Sequence, residues 1–121
     1  MKHILLLEDE PHVASLLAHV LEEEGYYVTR AATVAEAGSI LRHIKVDLFV
    51  ADVLLPDGTV FDILEIVKAR DVPYILMTGS EDRKAQLAAN GDFHLGKPFK
   101  LLNFISEVRD RIGPGNGDGR N

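Results

Sequence analysis

The 121-residue chain has no cysteine, which excludes a disulfide framework, a thiolate zinc site and a cysteine nucleophile. It has no long apolar run either. The opening "MKHILLL" carries one lysine and a short apolar stretch before "EDE", so it fits neither a signal peptide nor a membrane span. A cytoplasmic protein is the expectation. An excess of basic residues is also missing: the formal net charge is −6 with both signs interspersed, which argues against a nucleic-acid partner. The five histidines are scattered, and His12 and His19 lack the i,i+4 spacing of a metal-binding helix, so both are expected on the surface. There is no internal repeat and no sign of a second domain. What remains, 46% hydrophobic and 26% charged, suits one globular domain with a core of its own.

Ile4 to Leu7 is a continuous apolar run that changes abruptly to "EDEP". Such a run predicts a strand buried on both faces, as in a parallel sheet. Pro11 suits a helix start, and Val13, Leu16, Leu17, Val20 and Leu21 follow at helical spacing until Gly25. "YYVTRA" predicts the second strand. Thr33 and Glu36 form a capping box for a helix with Val34, Ala37, Leu41 and Ile44 on one face. "VDLFVAD" predicts the third strand, and Val60, Ile63, Leu64 and Val67 the next helix, ended by Asp71 to Pro73. "YILMT" is the fourth strand, and Ser80 to Asn90 a weak helix whose only large apolar residue is Leu87. "FHLGK" is a short fifth strand, before a last helix carrying Leu101, Phe104, Ile105, Val108 and Ile112. The final "GPGNGDGRN" cannot build a core, so residues 1–112 are expected to form the domain and 113–121 a flexible tail or truncated linker. Alternation of strand and helix five times implies an α/β fold, a doubly wound parallel sheet with the flavodoxin-like strand order 2-1-3-4-5.

In such sheets ligands bind beyond the carboxyl ends of the strands. Those ends carry Glu8 and Asp9 after the first strand, Asp52 on the third, Thr78 on the fourth and Lys97-Pro98 on the fifth. Asp52 demands an explanation, because a carboxylate closing an apolar strand is costly unless something pairs with it or needs it. With the first and third strands adjacent, three carboxylates converge, and like charges that close raise a pKa or demand a cation. No cysteine or histidine stands beside them, so the donors are hard oxygens, which suit Mg²⁺. Mg²⁺ would bridge carboxylate and phosphate oxygens, Lys97 would add a point charge and Thr78 a hydroxyl donor. Together they would neutralise a phosphoryl group arriving on an aspartate nucleophile.

Over nearly the whole chain, from Lys2 to Ile112, these residues resemble the receiver domain of two-component response regulators, of the stand-alone kind found in chemotaxis. The segments that carry the resemblance are "LLLEDEP", "DVLLPDG", "ILMTG" and "GKPF". Each is common alone; all four at the ends of the appropriate strands are specific. The resemblance implies that Asp52 accepts a phosphoryl group from a histidine kinase or histidine phosphotransfer protein. It also implies that Asp9 and Asp52 ligate Mg²⁺, Glu8 through a water, with the Leu54 backbone carbonyl contributing. Lys97 would contact the phosphoryl group, with a cis bond to Pro98. Thr78 and His94 fall on the paired switch positions, and the downstream protein target is unspecified. With no output domain in the chain, a stand-alone regulator or phosphorelay shuttle is expected, without nucleic-acid or membrane partners.

The chain departs from the family pattern in places. Val60 stands where the family usually has a glycine, with Gly58 earlier. The stretch from Thr78 to Lys97 is a few residues short, and Phe93 occupies a site where one subgroup carries an acidic dimer-interface residue. These departures bear on the output surface rather than on the acidic site.

Taken singly, each residue has a plainer reading. Asp52 could be a turn residue just past its strand, Glu8 and Asp9 a solvated helix start, Thr78 a polar strand end and Lys97 a surface charge. His94 could equally be a passive strand side chain. Their shared edge favours the common role. Other classes compete as well. An Mg²⁺-dependent aspartate-nucleophile phosphatase usually has a second Asp two residues after the first, and here that residue is Leu54. A flavin or nucleotide module needs a Gly- or Ser/Thr-rich loop after the first strand, where "EDEPHV" would repel phosphate. A non-phosphorylated receiver-like interaction module would keep the fold without the chemistry, and the intact acidic site argues against it.

Overall fold

Runs too apolar to face water on either side become the middle of one sheet. The computed structural model describes residues 1–92 and 94–115. In chain order the elements are β1 (His3–Leu7), α1 (Pro11–Glu23), β2 (Tyr27–Ala31), α2 (Val34–His43), β3 (Leu48–Asp52), β4 (Leu54–Leu55) and β5 (Gly58–Thr59). They continue with α3 (Phe61–Ala69), β6 (Tyr74–Thr78), α4 (Glu81–Asn90), β7 (His94–Gly96) and α5 (Leu101–Ile112). Five strands form a sheet in the order β2-β1-β3-β6-β7, with every neighbouring pair parallel. This is the expected flavodoxin-like order once the small antiparallel hairpin β4-β5 is set aside. Leu7 of β1 lies level with Ala51 of β3, so Glu8 and Asp52 emerge side by side at the carboxyl edge.

Alternate residues of each strand face opposite layers. Leu5, Leu7, Phe49, Ala51 and Leu76 pack against α2, α3 and, through Leu87, α4. Ile4, Leu6, Leu48, Val50, Ile75 and Met77 pack against Leu17 and Leu21 of α1 and Phe104 and Val108 of α5. Full burial of each such side chain is worth about 1.5–3 kcal/mol, so the central strands depend on both helix layers. Side chains also end the helices: Glu10 accepts the N–H groups of His12 and Val13, and Ser80 that of Arg83. Among the described residues, no helix is long and apolar enough to cross a membrane.

Several local expectations are corrected by packing. Tyr26, expected to open the second strand, precedes it; its ring is buried and its hydroxyl donates to the Gly113 carbonyl at 2.6 Å. Val46 and Asp47 likewise precede β3. Val46 fills the core, and Asp47 accepts the His3 N–H at 2.7 Å. Leu16 and Ile44 have helical spacing but are 48% and 47% exposed. Ile44 caps α2 in extended backbone, so it leaves the helical face. Val60 is the N-cap of α3 rather than part of it, and is fully buried. That burial accounts for its standing where a glycine was expected: the turn conformation that favours glycine occurs earlier, at Gly58 (φ 149°). The fifth strand is shorter than expected, with Lys97 beyond it, while Phe93 and residues 116–121 lie outside the described residues.

At the amino edge of the sheet, Asp92 is 8% exposed and accepts the Tyr74 hydroxyl at 2.6 Å, with the Lys68 ammonium 3.7 Å away. Burial, then the bond and charge of Asp92, push the Tyr74 phenol up to about 12. A folded pKa above the unfolded value means the stabilisation is complete below pH about 10 and fades as pH rises toward 12. Tyr74→Phe should therefore cost about 1.5–3 kcal/mol in urea unfolding at neutral pH, the usual range for a hydrogen bond to a charged group. It should also remove the highest-pH step of the tyrosine absorbance titration. An unchanged unfolding midpoint would show that Asp92 is held without Tyr74.

Candidate functional site

Parallel strands end together, and here their last residues carry the charge. The Glu8 N–H donates to the Ala31 carbonyl at 3.0 Å, prolonging the β1-β2 ladder by one residue. Only 1% of the Glu8 side chain is exposed. Its Oε2 accepts the Glu10 N–H at 3.1 Å and its Oε1 accepts Lys97 Nζ at 3.0 Å. Asp52 closes β3 with 16% of its side chain exposed. Its Oδ1 accepts the Val53 N–H at 2.9 Å and its Oδ2 accepts Lys97 Nζ at 3.1 Å. Burial alone would draw the Lys97 ammonium down, but the bonds and charges of Glu8 and Asp52 outweigh it, leaving its pKa above the ordinary lysine value. The Lys97-Pro98 bond is cis, as expected.

Asp9 is exposed and completes the cluster: Glu8, Asp9 and Asp52 each offer a carboxylate oxygen, all within 4.8 Å of one another. Three carboxylates against one ammonium leave two formal negative charges uncompensated. A set of hard oxygens with that deficit fits Mg²⁺, which takes few protein ligands and keeps several waters.

Thr78, 2% exposed, ends β6 beside this cluster. Its carbonyl accepts the Lys97 N–H at 2.8 Å, and its Oγ1 accepts the Ser80 N–H at 3.1 Å. Leu54 opens the β4-β5 hairpin just past Asp52 and is 46% exposed. His94 is paired with Leu76, while Thr78 is paired with Gly96. His94 thus shares Thr78's face but sits a strand step back from the edge. The structure brings Glu8, Asp9, Asp52, Thr78 and Lys97 together, and leaves His12 and His19 exposed on α1. A cavity of about 450 Å³ opens instead at the amino ends of β3 and β6, among Ile44, Asp47, Arg70 and Pro73. Its size does not make it the site, because the convergent charges lie at the other edge.

One residue on the hairpin that follows Asp52 escapes sequence reasoning. Asp57, legible only as part of a Pro-Asp-Gly turn, accepts the Val34 N–H at 2.8 Å and the Ala35 N–H at 3.1 Å. Those two N–H groups hold its carboxyl below the ordinary aspartate value.

A parallel sheet in this order, with an acidic cluster and a lysine at its carboxyl edge, defines the class of receiver domains. The chain belongs to the response regulator receiver domain family, whose model matches residues 4–109. Among its relatives is the probable transcriptional regulatory protein TcrX of Mycobacterium tuberculosis, 32% identical over 111 residues, which span 88% of this chain. The chain spans about half the length of that relative, 47%. The non-phosphorylated HemR receiver domain of Leptospira biflexa superposes with a TM-score of 0.81 at 33% identity, covering 93% of this chain and 94% of that one. The response regulator TrrA of Thermotoga maritima, in complex with Mg(2+)-BeF, superposes with a TM-score of 0.83 at 28% identity, over 93% of this chain and 100% of that one.

The charge arrangement makes Lys97 a structural partner of Glu8 as well as a candidate phosphoryl contact. Lys97→Met should leave a folded domain destabilised by about 2–3 kcal/mol at pH 7, somewhat less than a fully buried broken pair costs, because Lys97 keeps partial contact with water. Adding Glu8→Gln to Lys97→Met should recover most of that loss, because it removes the stranded charge. Denaturant unfolding at pH 7 measures both variants. No recovery in the double variant would mean that Glu8 is not the group left unbalanced.

Proposed function

We propose that this chain accepts a phosphoryl group on Asp52 from a phosphohistidine of a cytoplasmic histidine kinase or histidine phosphotransfer protein. The reaction uses Mg²⁺ at Glu8, Asp9, Asp52 and the Leu54 carbonyl. Residues 1–112 are the unit that does this, with 113–121 as a tail or linker whose first residues, Gly113 and Gly115, pack against Tyr26 and the turn before it. The observation that carries the reading is the pair of uncompensated negative charges around a carboxylate already facing Lys97. Such a site repels phosphate on its own and admits it beside a divalent cation. The Mg(2+)-BeF complex of TrrA supports the same reading here.

In the transfer, an Asp52 carboxylate oxygen forms a P–O bond as the P–N bond to the donor imidazole breaks. The ring nitrogen keeps the electron pair of that bond. The Val53 N–H holds Oδ1 and Lys97 holds Oδ2, so the carboxylate is fixed in rotation before the donor arrives. Bound Mg²⁺ supplies charge neutralisation for the incoming phosphoryl oxygens. Lys97, with three N–H donors, follows the charge from carboxylate to phosphoryl group.

Readout begins at Thr78. Its hydroxyl oxygen accepts the Ser80 N–H at the start of α4 and keeps its own O–H to donate, so a turn toward a phosphoryl oxygen pulls on the start of that helix. His94, on the same face one step back, moves into the space released. Helix α4 is fastened to the core by Leu87, its one buried residue, so the α4-β7 surface is the part most easily repositioned for a downstream protein partner.

Treatment with acetyl phosphate and Mg²⁺ should add one phosphoryl group by intact mass. The addition should vanish in Asp52→Asn and in EDTA. Undiminished labelling in the variant would remove Asp52 from the mechanism, and steady turnover of external phosphoesters would point to a phosphatase instead.

Hydrogen exchange with and without beryllofluoride should show protection gained between Ser80 and Asp92 and at His94. Protection confined to the neighbourhood of Asp52 would place the switch elsewhere.

A further inference from the structure

We infer that Asp57 is a positioning residue for the metal side of the phosphoacceptor site, acting through the β4-β5 hairpin. The inference rests on Leu54 contributing its carbonyl to Mg²⁺. The first-turn N–H groups of a helix have no acceptor inside the helix. In α2, Thr33 Oγ1 takes that of Glu36 at 3.1 Å, and Glu36 Oε1 turns back to the Ala32 N–H at 2.8 Å. The remaining two, on Val34 and Ala35, are taken by the two oxygens of Asp57. A carboxylate holding two N–H groups with two oxygens is fixed in orientation as well as position, and the positive end of the helix favours its charge.

Asp57 sits at the tip of the hairpin that begins with Leu54. The base of that hairpin is tied to the sheet: the Val53 N–H reaches Met77 at 3.1 Å, and the Val60 N–H closes on the Val53 carbonyl at 2.9 Å. Within the hairpin, Leu54 pairs with Thr59 and Leu55 with Gly58. Leu54 is 46% exposed, so its side chain does little to immobilise it. The tip is crowded on its other side, where a Cβ on Gly58 would lie 2.6 Å from Asp62 Oδ2. The hairpin is therefore held at its base by the sheet, along its length by Leu55 in the core and by the Thr59 N–H on Asp62 Oδ2 at 3.1 Å, and at its tip by Asp57 on α2. Loosening the tip leaves those anchors in place and shifts the exposed Leu54 backbone about them, while Glu8, Asp9 and Asp52 keep their places.

The test is an Mg²⁺ titration of the full chain, followed by backbone amide shifts, in the unsubstituted protein and in Asp57→Asn, Asp57→Ser and Thr33→Ala. Asp57→Asn puts an amide NH₂ against one of the helix N–H groups. It should weaken Mg²⁺ binding about tenfold, the low end of what loss of an outer orienting group costs a metal site. Asp57→Ser, which keeps one oxygen, should weaken it less. In both, the amide shifts of Leu54 and Leu55 should move even without Mg²⁺. Thr33→Ala uncaps the same helix without touching the hairpin, and should lower stability while leaving Mg²⁺ affinity unchanged. Unaltered affinity in Asp57→Asn, or equal weakening in Thr33→Ala, overturns the inference. No Mg²⁺-dependent shift in the unsubstituted chain overturns the proposed function, and the inference with it.

Discussion

A carboxylate withdrawn from water at the end of the first strand sets the terms for the whole carboxyl edge. Glu8 is tolerable there because Lys97, 89 residues later, delivers an ammonium to it. Since β1 lies inside the sheet and β7 at its margin, that ammonium reaches across two intervening strands. It meets Asp52 on the way. One cation thus serves two acids, and the fold leaves a third, Asp9, facing solvent. The balance is enough to keep the edge folded and too little to make it neutral.

The same edge is wired to the helix that follows β6. The Thr78 carbonyl holds the backbone of Lys97 and its hydroxyl oxygen holds the start of α4. At its other end α4 stops at Gly91, which takes a left-handed conformation, and the chain passes directly into buried Asp92. The helix is therefore bracketed by two polar contacts, one at each edge of the sheet, with a single leucine between them. Few apolar contacts and defined polar ends make an element that can shift as a unit without opening the core.

Much of this was legible in the chain because the relevant signals are local. Continuous apolar runs marked the strands, and Asp52 stood out by interrupting one of them. Glu8, Asp9, Thr78 and Lys97 became a group once the strand ends were assumed to share an edge. What was hidden depends on approach across space. Tyr26 looks like strand by composition, yet its hydroxyl is satisfied by Gly113 at the far end of the chain. Ile44 keeps helical spacing but falls just past the last turn. The two-residue strands β4 and β5 are too short to show any periodicity. Asp57 has an ordinary turn residue's surroundings, and nothing near it announces that its partners lie 22 and 23 residues earlier.

The Tyr26–Gly113 contact has a consequence for polarity. Gly115 packs so closely on the turn before β2 that a Cβ there would stand 2.7 Å from the Glu24 carbonyl oxygen. The polypeptide is thus moored at the amino edge of the sheet, a strand length of roughly 17 Å from the acidic edge. Gly115 stands at the pole opposite the acidic edge, with both layers of the hydrophobic core between the two. A displacement at one pole reaches the other only through packed helices and strands, so the core is both insulator and transmission.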